Sequence, residues 1–154
     1  MMRSDSRLSR MLHVLIHMAD HDGPMTSEGI AMMLGTNPVV VRRTMGGLRE
    51  SGYVRSEKGH GGGWTLARPL DQITLLDVYR AVGEPSLFAI GPSDDDPRCL
   101  VEQAVNAALD EALQAARSLL LARFGAISIA DVADDFRGRA ARLIGGVGPA
   151  SQTG

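Results

Sequence analysis

The chain has 154 residues, of which 44% are hydrophobic and 22% charged, so it is long enough for one globular domain with a full core and is not a disordered chain. Aromatic residues make up only 4% and there is one cysteine, which argues against an aromatic platform for single-stranded nucleic acid and excludes an internal disulfide framework and a cysteine-rich zinc site. The opening MMRSDSRLSR is charged, and no run of about 18 apolar residues exists, so we expect no signal peptide, no membrane span and a cytoplasmic protein.

The net charge of −2 conceals an uneven distribution of charged residues. Residues 1–70 hold nine lysines and arginines against six acidic residues, whereas residues 71–154 hold seven against twelve. Within residues 37–68 the balance is six against two, a net charge of +4. A basic front half and an acidic back half suit a protein that presents one face to a polyanion.

The first two predicted elements are helices. Apolar residues recur at helical spacing from Leu8 to Ala19, and this segment ends at the turn signal DHDGP. A shorter helix then begins with Thr26 or Ser27 as its N-cap and ends at Gly35, a residue suited to the left-handed conformation that closes many helices.

A third helix is predicted after the tight joint LGTN. Asn37 is a good N-cap, Pro38 fits the first helical position because its missing N–H costs nothing there, and the helix runs to about Ser51. Gly46 and Gly47 lie inside this helix. Each should weaken it by about 1 kcal/mol relative to alanine, and the pair can permit close packing.

The segment from residue 53 to residue 67 changes to the two-residue period of β-strands. Two short extended runs, YVRS and WTLA, flank the glycine-rich centre GHGGG, which predicts a β-hairpin with a longer loop. By itself the glycine run also fits a phosphate loop or the HGGG oxyanion hole of an esterase. The chain has neither a G-x-S-x-G nucleophile elbow nor the Gly-Lys-Ser/Thr of a Walker A motif, and Trp64 stands where a Rossmann fingerprint needs glycine, so we expect no enzyme.

The remaining residues predict three helices and a tail. ITLLDVYRAV begins a short helix with capping-box spacing, and the stretch from Arg98 to about Phe124, which has neither glycine nor proline, predicts one amphipathic helix roughly 40 Å long. SIADVADDF repeats the capping-box spacing and predicts a last short helix that ends near residue 136. Residues 137–154 are expected to be a flexible tail.

The order helix, helix, tight turn, helix, hairpin is that of a winged helix-turn-helix. We therefore expect a mainly α fold with a small β-hairpin. Residues 1–92 would form the winged helix-turn-helix domain, and residues 93–136 the long helix and the short C-terminal helix. In this motif the N-terminal residues of the third helix reach base edges in the major groove of DNA, and the hairpin, called the wing, approaches the neighbouring duplex.

Candidate DNA contacts follow from this placement. They are Asn37, Val39, Val40, Arg42, Arg43, Arg55, Lys58, Gly59, His60 and Gly61. Arg42 and Arg43 differ by about 100° around the helix, so one can contact guanine or phosphate while the other touches the flanking backbone. Either valine can touch a thymine methyl, and Lys58 can enter the minor groove or pair with phosphate. A solvated helix face and an ordinary exposed turn are the alternatives.

The segment RESGYVRSEKGHGGGWTLARPLDQITLLDVYRAV resembles the Rrf2 family of bacterial winged-helix regulators, and TNPVVVRR and ITLLDVYRAV…LFAI…PRC are still closer to its YwnA-like branch. The resemblance covers about residues 7–136 and implies a homodimer, built on the long helix, that binds a palindromic operator and usually represses. By position, Lys58 stands where the family usually has the wing arginine, and Trp64 stands at the usual tyrosine. The dimer interface would comprise Leu100, Ala104, Ala108, Leu109, Ala112, Leu113 and Leu120.

The chain departs from the cluster-binding members of that family, which carry three cysteines before the dimer helix. Only Cys99 is present here, and one thiolate cannot supply the usual ligands, so we expect no iron–sulfur cluster of that kind and no other cofactor. Arg98 and the helix start favour a thiolate at Cys99, while Asp94–Asp96 oppose it. Both a redox- or electrophile-sensing thiol and a small buried helix residue fit this position. Arg42 and Arg43 stand where those members often have Glu and Gln, which predicts a different operator.

Three histidines recur on the first helix, at His13, His17 and His21. The spacing of the first two places them on one face, where they could bind a metal ion, but we expect surface or interhelical packing instead. Two other functions therefore stay open: a metal-responsive regulator that uses these histidines, and a helical dimeric protein-interaction module without DNA binding. The net charge of +4 over residues 37–68 argues against the second.

Overall fold

A computed structural model describes residues 4–59 and 62–146 of the chain. Its helices are α1 (Arg7–Asp20), α2 (Ser27–Leu34), α3 (Pro38–Glu50), α4 (Leu75–Ala81), α5 (Leu100–Gly125) and α6 (Ile129–Gly145), and its strands are β1 (Val54–Glu57) and β2 (Gly63–Leu66). The strands pair antiparallel, with Val54 opposite Leu66 and Glu57 opposite Gly63. The predicted fold, mainly α with one hairpin, is therefore confirmed. None of the described helices combines the length and the apolar character that a membrane crossing requires.

Side-chain caps fix the starts of the helices where the sequence places them. The Thr26 hydroxyl accepts a hydrogen bond from the backbone N–H of Gly29, and the Asn37 side chain accepts one from that of Val40. Gly35 ends α2 with φ 66°, the left-handed conformation that glycine adopts without steric cost. Both predicted capping boxes are present, at the starts of α4 and α6. These contacts are local, and this is why the sequence alone predicts them.

The core lies between α1, α3, α4 and the beginning of α6, with the hairpin along one side. Its largest fully buried side chains include Leu15, Ile30, Met45, Leu48, Ile73 and Tyr79. Ile129 and Ala133 of α6 belong to the same cluster, so the C-terminal helix completes this core. Full burial of a large apolar side chain contributes about 1.5–3 kcal/mol, so these residues account for much of the stability. We call residues 7–82 together with residues 129–133 the head.

Only one of the two glycines inside α3 is required for packing. A Cβ on Gly47 would clash with the backbone oxygen of Ala81 in α4, whereas a Cβ on Gly46 would meet nothing within 4 Å. Gly47 thus allows α3 to lie directly against α4. The expected close packing is present at Gly47 and absent at Gly46.

The last helix is longer than the sequence predicts. The expectation of a flexible tail from residue 137 is wrong for residues 137–145, because α6 continues to Gly145. The added segment RGRAARLIG is rich in alanine, arginine and leucine, which have high helix propensity. The Arg139 guanidinium also pairs with Asp135 one turn earlier, at 2.7 Å. These terms together outweigh Gly138, which costs the helix about 1 kcal/mol.

The long helix α5 contains no buried residue. Its last turns contact α4, where the Phe124 ring lies 6.0 Å from the ring of Tyr79, edge to face, and Arg117 donates a hydrogen bond to the Tyr79 hydroxyl. Its first turns are bordered on one side by the preceding loop, since the Asn106 amide exchanges two hydrogen bonds with the backbone of Ser93. The remaining surface of α5 faces solvent.

Candidate nucleic-acid interface

Three buried side chains fix the orientation of α3. Val41, Met45 and Leu48 face the core of the head. Because successive residues turn by about 100° around a helix, the opposite side carries Val39 and Arg43. Val39 is 58% exposed, and Arg43 is exposed as well. The N-terminal half of α3 thus presents an outward surface that has an apolar side chain and a guanidinium side by side.

The two adjacent arginines of α3 lie in different surroundings, as their angular separation predicts. Arg42 turns toward α2, where its Nη1 lies 3.6 Å from Oε1 of Glu28. Arg43 forms no salt bridge with any other residue that the structure describes. The guanidinium of Arg43 therefore has all its donors available for a ligand, whereas that of Arg42 has an acidic neighbour.

The wing is the part of the head that comprises β1, β2 and the residues between them. Trp64 fixes it to the rest of the head. The backbone groups of Trp64 and Met25 exchange two hydrogen bonds, at 2.8 and 3.0 Å. The indole N–H donates to the buried Ser27 hydroxyl at 3.0 Å. Gly63, with φ 151°, allows this approach, because a Cβ there would clash with the backbone oxygen of Met25. The wing consequently has a defined position relative to α2 and α3.

The tip of the wing closes in a turn. Gly59 has φ 94°, and its backbone oxygen accepts a hydrogen bond from the N–H of Gly62 at 3.0 Å. Lys58 is exposed next to this turn, so its ammonium group reaches beyond the hairpin. The other two predicted contacts at the tip, His60 and Gly61, lie outside the described residues.

A groove with a volume of about 300 Å³ separates α2 and α3 from the wing. Glu28, Arg42 and Glu57 all line it, so its walls carry both signs of charge. Arg55 is exposed on β1. Because a carboxylate repels phosphate and accepts a hydrogen bond from the amino group of cytosine, a groove with two carboxylates and one guanidinium is suited to discriminate among ligands rather than to attract a polyanion.

Three charged residues of this surface did not follow from the sequence: Glu28, Arg49 and Arg10. Glu28 and Arg42 pair across two helices, and Arg49 donates to the Ser56 hydroxyl and lies 5.8 Å from the centre of the Trp64 ring. Arg49 thereby braces the wing. These contacts join residues far apart in the chain, and only the charge of each residue was available as a signal.

Arg10 is the third such residue. It is exposed at the other edge of α3, where it lines a small cavity with Val40 and Thr44. Arg7, one turn earlier, is already engaged, because it pairs with Asp5 at 2.7 Å and donates to the backbone oxygen of Val82. The side-chain hydrogen bond from Arg7 lowers the pKa of Asp5. Arg10 therefore extends the cationic border of the surface, whereas Arg7, which also lines the cavity, has its charge offset by Asp5.

The predicted dimer residues lie on two sides of α5. Leu100, Ala104, Ala108 and Ala112 are exposed, whereas Leu109, Leu113 and Leu120 are half-buried. The half-buried side is the one that carries Asn106 and Phe124, which contact the same chain. The exposed side also carries Val101, Val105 and Leu119, which are 71%, 51% and 75% exposed and were missing from the predicted set. We call the seven exposed residues the α5 stripe: Leu100, Val101, Ala104, Val105, Ala108, Ala112 and Leu119.

Cys99 is the N-cap residue of α5 and is partly exposed. Its backbone N–H donates to the oxygen of Asp96, and its backbone oxygen accepts from the N–H of Gln103, both at 3.0 Å. The thiol makes no capping hydrogen bond. The position is thus at the start of the long helix, as predicted, with a thiol that the helix does not use.

The histidines of α1 separate into a pair and a single residue. Nε2 of His13 and Nε2 of His17 are 3.0 Å apart, whereas Nδ1 of His21 lies 2.9 Å from the backbone oxygen of Gly23. Within residues 4–59 and 62–146, no three or more histidine, cysteine, aspartate and glutamate side chains are grouped so that they could hold a metal ion.

Comparison with known proteins gives consistent matches. The Rrf2 family, described as an iron-dependent transcriptional regulator, matches residues 4–135. YwnA of Bacillus subtilis (strain 168), named as an HTH-type transcriptional regulator, is 35% identical over 129 residues, which cover 83% of this chain and 95% of YwnA. The structure of T. potens IscR has a TM-score of 0.59 at 21% identity, covering 87% of this chain and 88% of IscR. That of CymR, the global cysteine regulator of B. subtilis, has a TM-score of 0.54 at 23% identity, covering 87% and 98%.

Proposed function

Because this chain belongs to the Rrf2 family of transcriptional regulators, we propose that it binds a palindromic operator in double-stranded DNA as a homodimer and represses transcription. The observation that carries the proposal is the fixed arrangement of α3 and the wing. An exposed arginine and valine project from α3, and a lysine projects from a hairpin that is anchored beside it. A recognition helix and a wing need this arrangement to engage one duplex together.

We propose different roles for the residues of this surface. Arg43 and Val39 lie on the outward side of α3 and would reach base edges, where arginine pairs with guanine and valine contacts a thymine methyl. Lys58 at the wing tip and Arg10 beside α3 would contact phosphates. The Asn37 side-chain oxygen already caps α3, so this residue would hold the helix start in position and offer only its amide nitrogen to DNA.

The α5 stripe supports the homodimer. It is an apolar strip along a helix roughly 39 Å long, and an exposed strip of that extent on a soluble protein marks an interface. A two-fold axis through α5 would bring the same strip of a second copy against it. Two α3 helices would then enter successive major grooves, about 34 Å apart, which requires an operator with matching half-sites.

The proposal includes no iron–sulfur cluster. The family description names iron, but the loop before α5 offers a single thiol, and the described residues contain no set of three ligands. A cluster of the usual kind needs three or four thiolates or imidazoles, so the residues present do not fit one. No step of the proposed function passes through an iron centre.

DNA binding is tested by selecting bound sites from random duplexes and by measuring affinity against salt concentration. We expect Arg43→Ala to cost about 1–3 kcal/mol and to relax selection at one base-pair position per half-site. Lys58→Ala should weaken all sequences alike and reduce the salt slope by about 1 per half-site, or about 2 for the dimer. Arg139→Ala, which removes an exposed arginine of α6, is the matched control and should change neither.

Two outcomes would contradict this function. Affinity that does not fall with salt, or selection that yields no palindrome, would instead favour a protein-interaction module. Equal losses for Arg43→Ala and Arg139→Ala would remove α3 from the interface even if the protein binds DNA.

The proposed repressor responds to peroxide or electrophiles through Cys99. The thiolate sulfur would attack one oxygen of a peroxide, the O–O bond would break, and water would leave after protonation, so that the thiol becomes a sulfenic acid. This change would occur at the N-cap of the helix that carries the dimer interface. We expect peroxide to release wild-type protein from its operator and to leave Cys99→Ser protein bound. Release of the Cys99→Ser protein at the same peroxide concentration would exclude the thiol as the sensor.

A further inference from the structure

We propose that His13 and His17 form a binding site for a divalent transition-metal ion, at the boundary between α1 and α6. The two residues are one helical turn apart and exposed. Their rings are tilted by 50° with centroids 4.7 Å apart, and both Nε2 atoms turn toward one another. The site is separate from the nucleic-acid interface, so it does not rest on the proposed function.

The distance between the two nitrogens fits a shared ion. Two imidazole nitrogens that each lie about 2.0–2.1 Å from one ion, at an angle of about 90–95°, are about 3 Å apart. The observed Nε2–Nε2 distance between His13 and His17 is 3.0 Å. A hydrogen bond from one neutral ring to the other also has this length, but it offers no ligand, and the experiments below separate the two cases.

The space beside the histidines can hold the rest of a coordination sphere. A cavity of about 220 Å³ is lined by both histidines, Asp20, Ile16 and Phe136. A water molecule takes about 30 Å³ in the liquid, so the cavity has room for an ion with several water ligands. Asp20 lies one turn beyond His17 on the same side of α1, and its carboxylate is the acidic group that lines the cavity.

The ligands present select the class of ion. Imidazole suits copper, nickel and zinc, whereas magnesium and calcium prefer oxygen ligands. Two imidazole nitrogens therefore favour Cu²⁺, Ni²⁺ or Zn²⁺ over Mg²⁺ and Ca²⁺, with water in the remaining positions.

The site is connected to α6 through an ion pair. Nη2 of Arg137 lies 3.2 Å from the Asp20 carboxylate, and Nη1 lies 3.3 Å from Asp134. Both side chains of the Asp20–Arg137 pair are about half-exposed, so the pair is weak and can be displaced. A bound dication attracts Asp20 and repels Arg137. Because the described residues offer no third ligand to the ion, Asp20 acts on it only through its charge, and the ion and Arg137 compete for that charge.

The test is calorimetric titration of Ni²⁺ into untagged, full-length protein that carries Cys99→Ser, so that the thiol adds no ligand. We expect one ion per chain. His13→Gln and His17→Gln should each weaken binding on the order of tenfold or more, because each removes one of the two protein nitrogens that hold the ion. His21→Gln is the control and should keep the affinity of the parent, because its ring contacts the backbone of Gly23. Circular dichroism of each variant confirms that the helices remain.

A second measurement tests the competition for Asp20. Arg137→Gln should bind Ni²⁺ several-fold more tightly than the parent, whereas Asp20→Asn should bind it more weakly. The proposal is overturned if the parent binds no more Ni²⁺ than the protein lacking both His13 and His17, or if His21→Gln loses as much affinity as His13→Gln. Unchanged affinity in both Arg137→Gln and Asp20→Asn would overturn the link to α6.

Discussion

The head buries its large apolar side chains, whereas α5 leaves many of its own exposed. In the head, Leu15, Ile30 and Met45 are fully buried by contacts within the chain. In α5 no residue is buried, and Leu100 and Leu119 are 78% and 75% exposed. A helix in a protein gains most of its stability from packing of its apolar face. The head achieves this within one chain, whereas α5 leaves an apolar strip exposed.

This contrast separates two effects of substitution. A change inside the head alters the free energy of unfolding of each chain. A change on the α5 stripe should alter the association that we propose and leave the core of the head intact. Three sets of variants test this distinction, and they follow in order of decreasing effect.

The largest effect is expected from placing charge on the α5 stripe. Val105→Glu combined with Leu119→Glu should convert the dimer to monomers and lower operator affinity about 100-fold or more, because the two half-sites are no longer bound together. Light scattering coupled to size-exclusion chromatography gives the mass, and fluorescence anisotropy gives the affinity. Trp64, the single tryptophan, reports whether the head keeps its fold.

Gln114→Glu is the matched control, since it adds a carboxylate to an exposed position on another side of α5. It should remain dimeric. A dimer that survives both glutamates on the stripe would contradict the role assigned to α5.

The next effect is expected inside the head, at the two glycines of α3. Gly47→Ala should lower the free energy of unfolding by about 1–3 kcal/mol, because the added Cβ must push α3 away from Ala81. Gly46→Ala should raise it by up to about 1 kcal/mol, because alanine favours the helix and meets open space. Urea denaturation of the two variants measures both values. Equal changes of the same sign would mean that α3 and α4 do not pack as described.

The smallest effect is expected from Glu28→Gln. The change removes the acidic neighbour of Arg42 and a negative charge from the groove, so affinity for non-operator DNA should rise about two- to fivefold, within the range of exposed ion pairs. The operator should gain less, so discrimination falls. Asp110→Asn, which removes an exposed acid of α5, controls for the change in net charge. The same gain in both variants would show that Glu28 acts only through net charge.

The parts of the fold that depend on neighbours in sequence could be predicted from the sequence. Caps at Thr26 and Asn37 and the left-handed Gly35 involve residues within one turn, and all three are present. The predicted family is confirmed, and so is the prediction of a regulator rather than an enzyme, since the matching relatives are transcriptional regulators. The caps could be predicted because they involve neighbouring residues, and the family could be predicted because its sequence motif is specific.

The parts that depend on distant contacts could not be predicted. Gly46 and Gly47 are adjacent glycines of the same helix, and only the position of α4 shows that they differ in packing. The pair Glu28–Arg42 joins two helices across a turn whose exact angle sets the distance. Leu109 and Leu113 lie on a different side of α5 from Leu100, and only the folded structure shows that their side packs against the same chain.

The bridge between Met25 and Trp64 has a further consequence for solubility. A two-stranded hairpin leaves two strand edges whose unpaired N–H and C=O groups can recruit another chain. Here the segment at Met25 pairs with the outer edge of β2 at its second residue, so this edge is interrupted by the protein itself. In the dimer that we propose, two wings held close together on DNA would therefore not offer matching edges at β2, which would disfavour pairing between the wings along that edge.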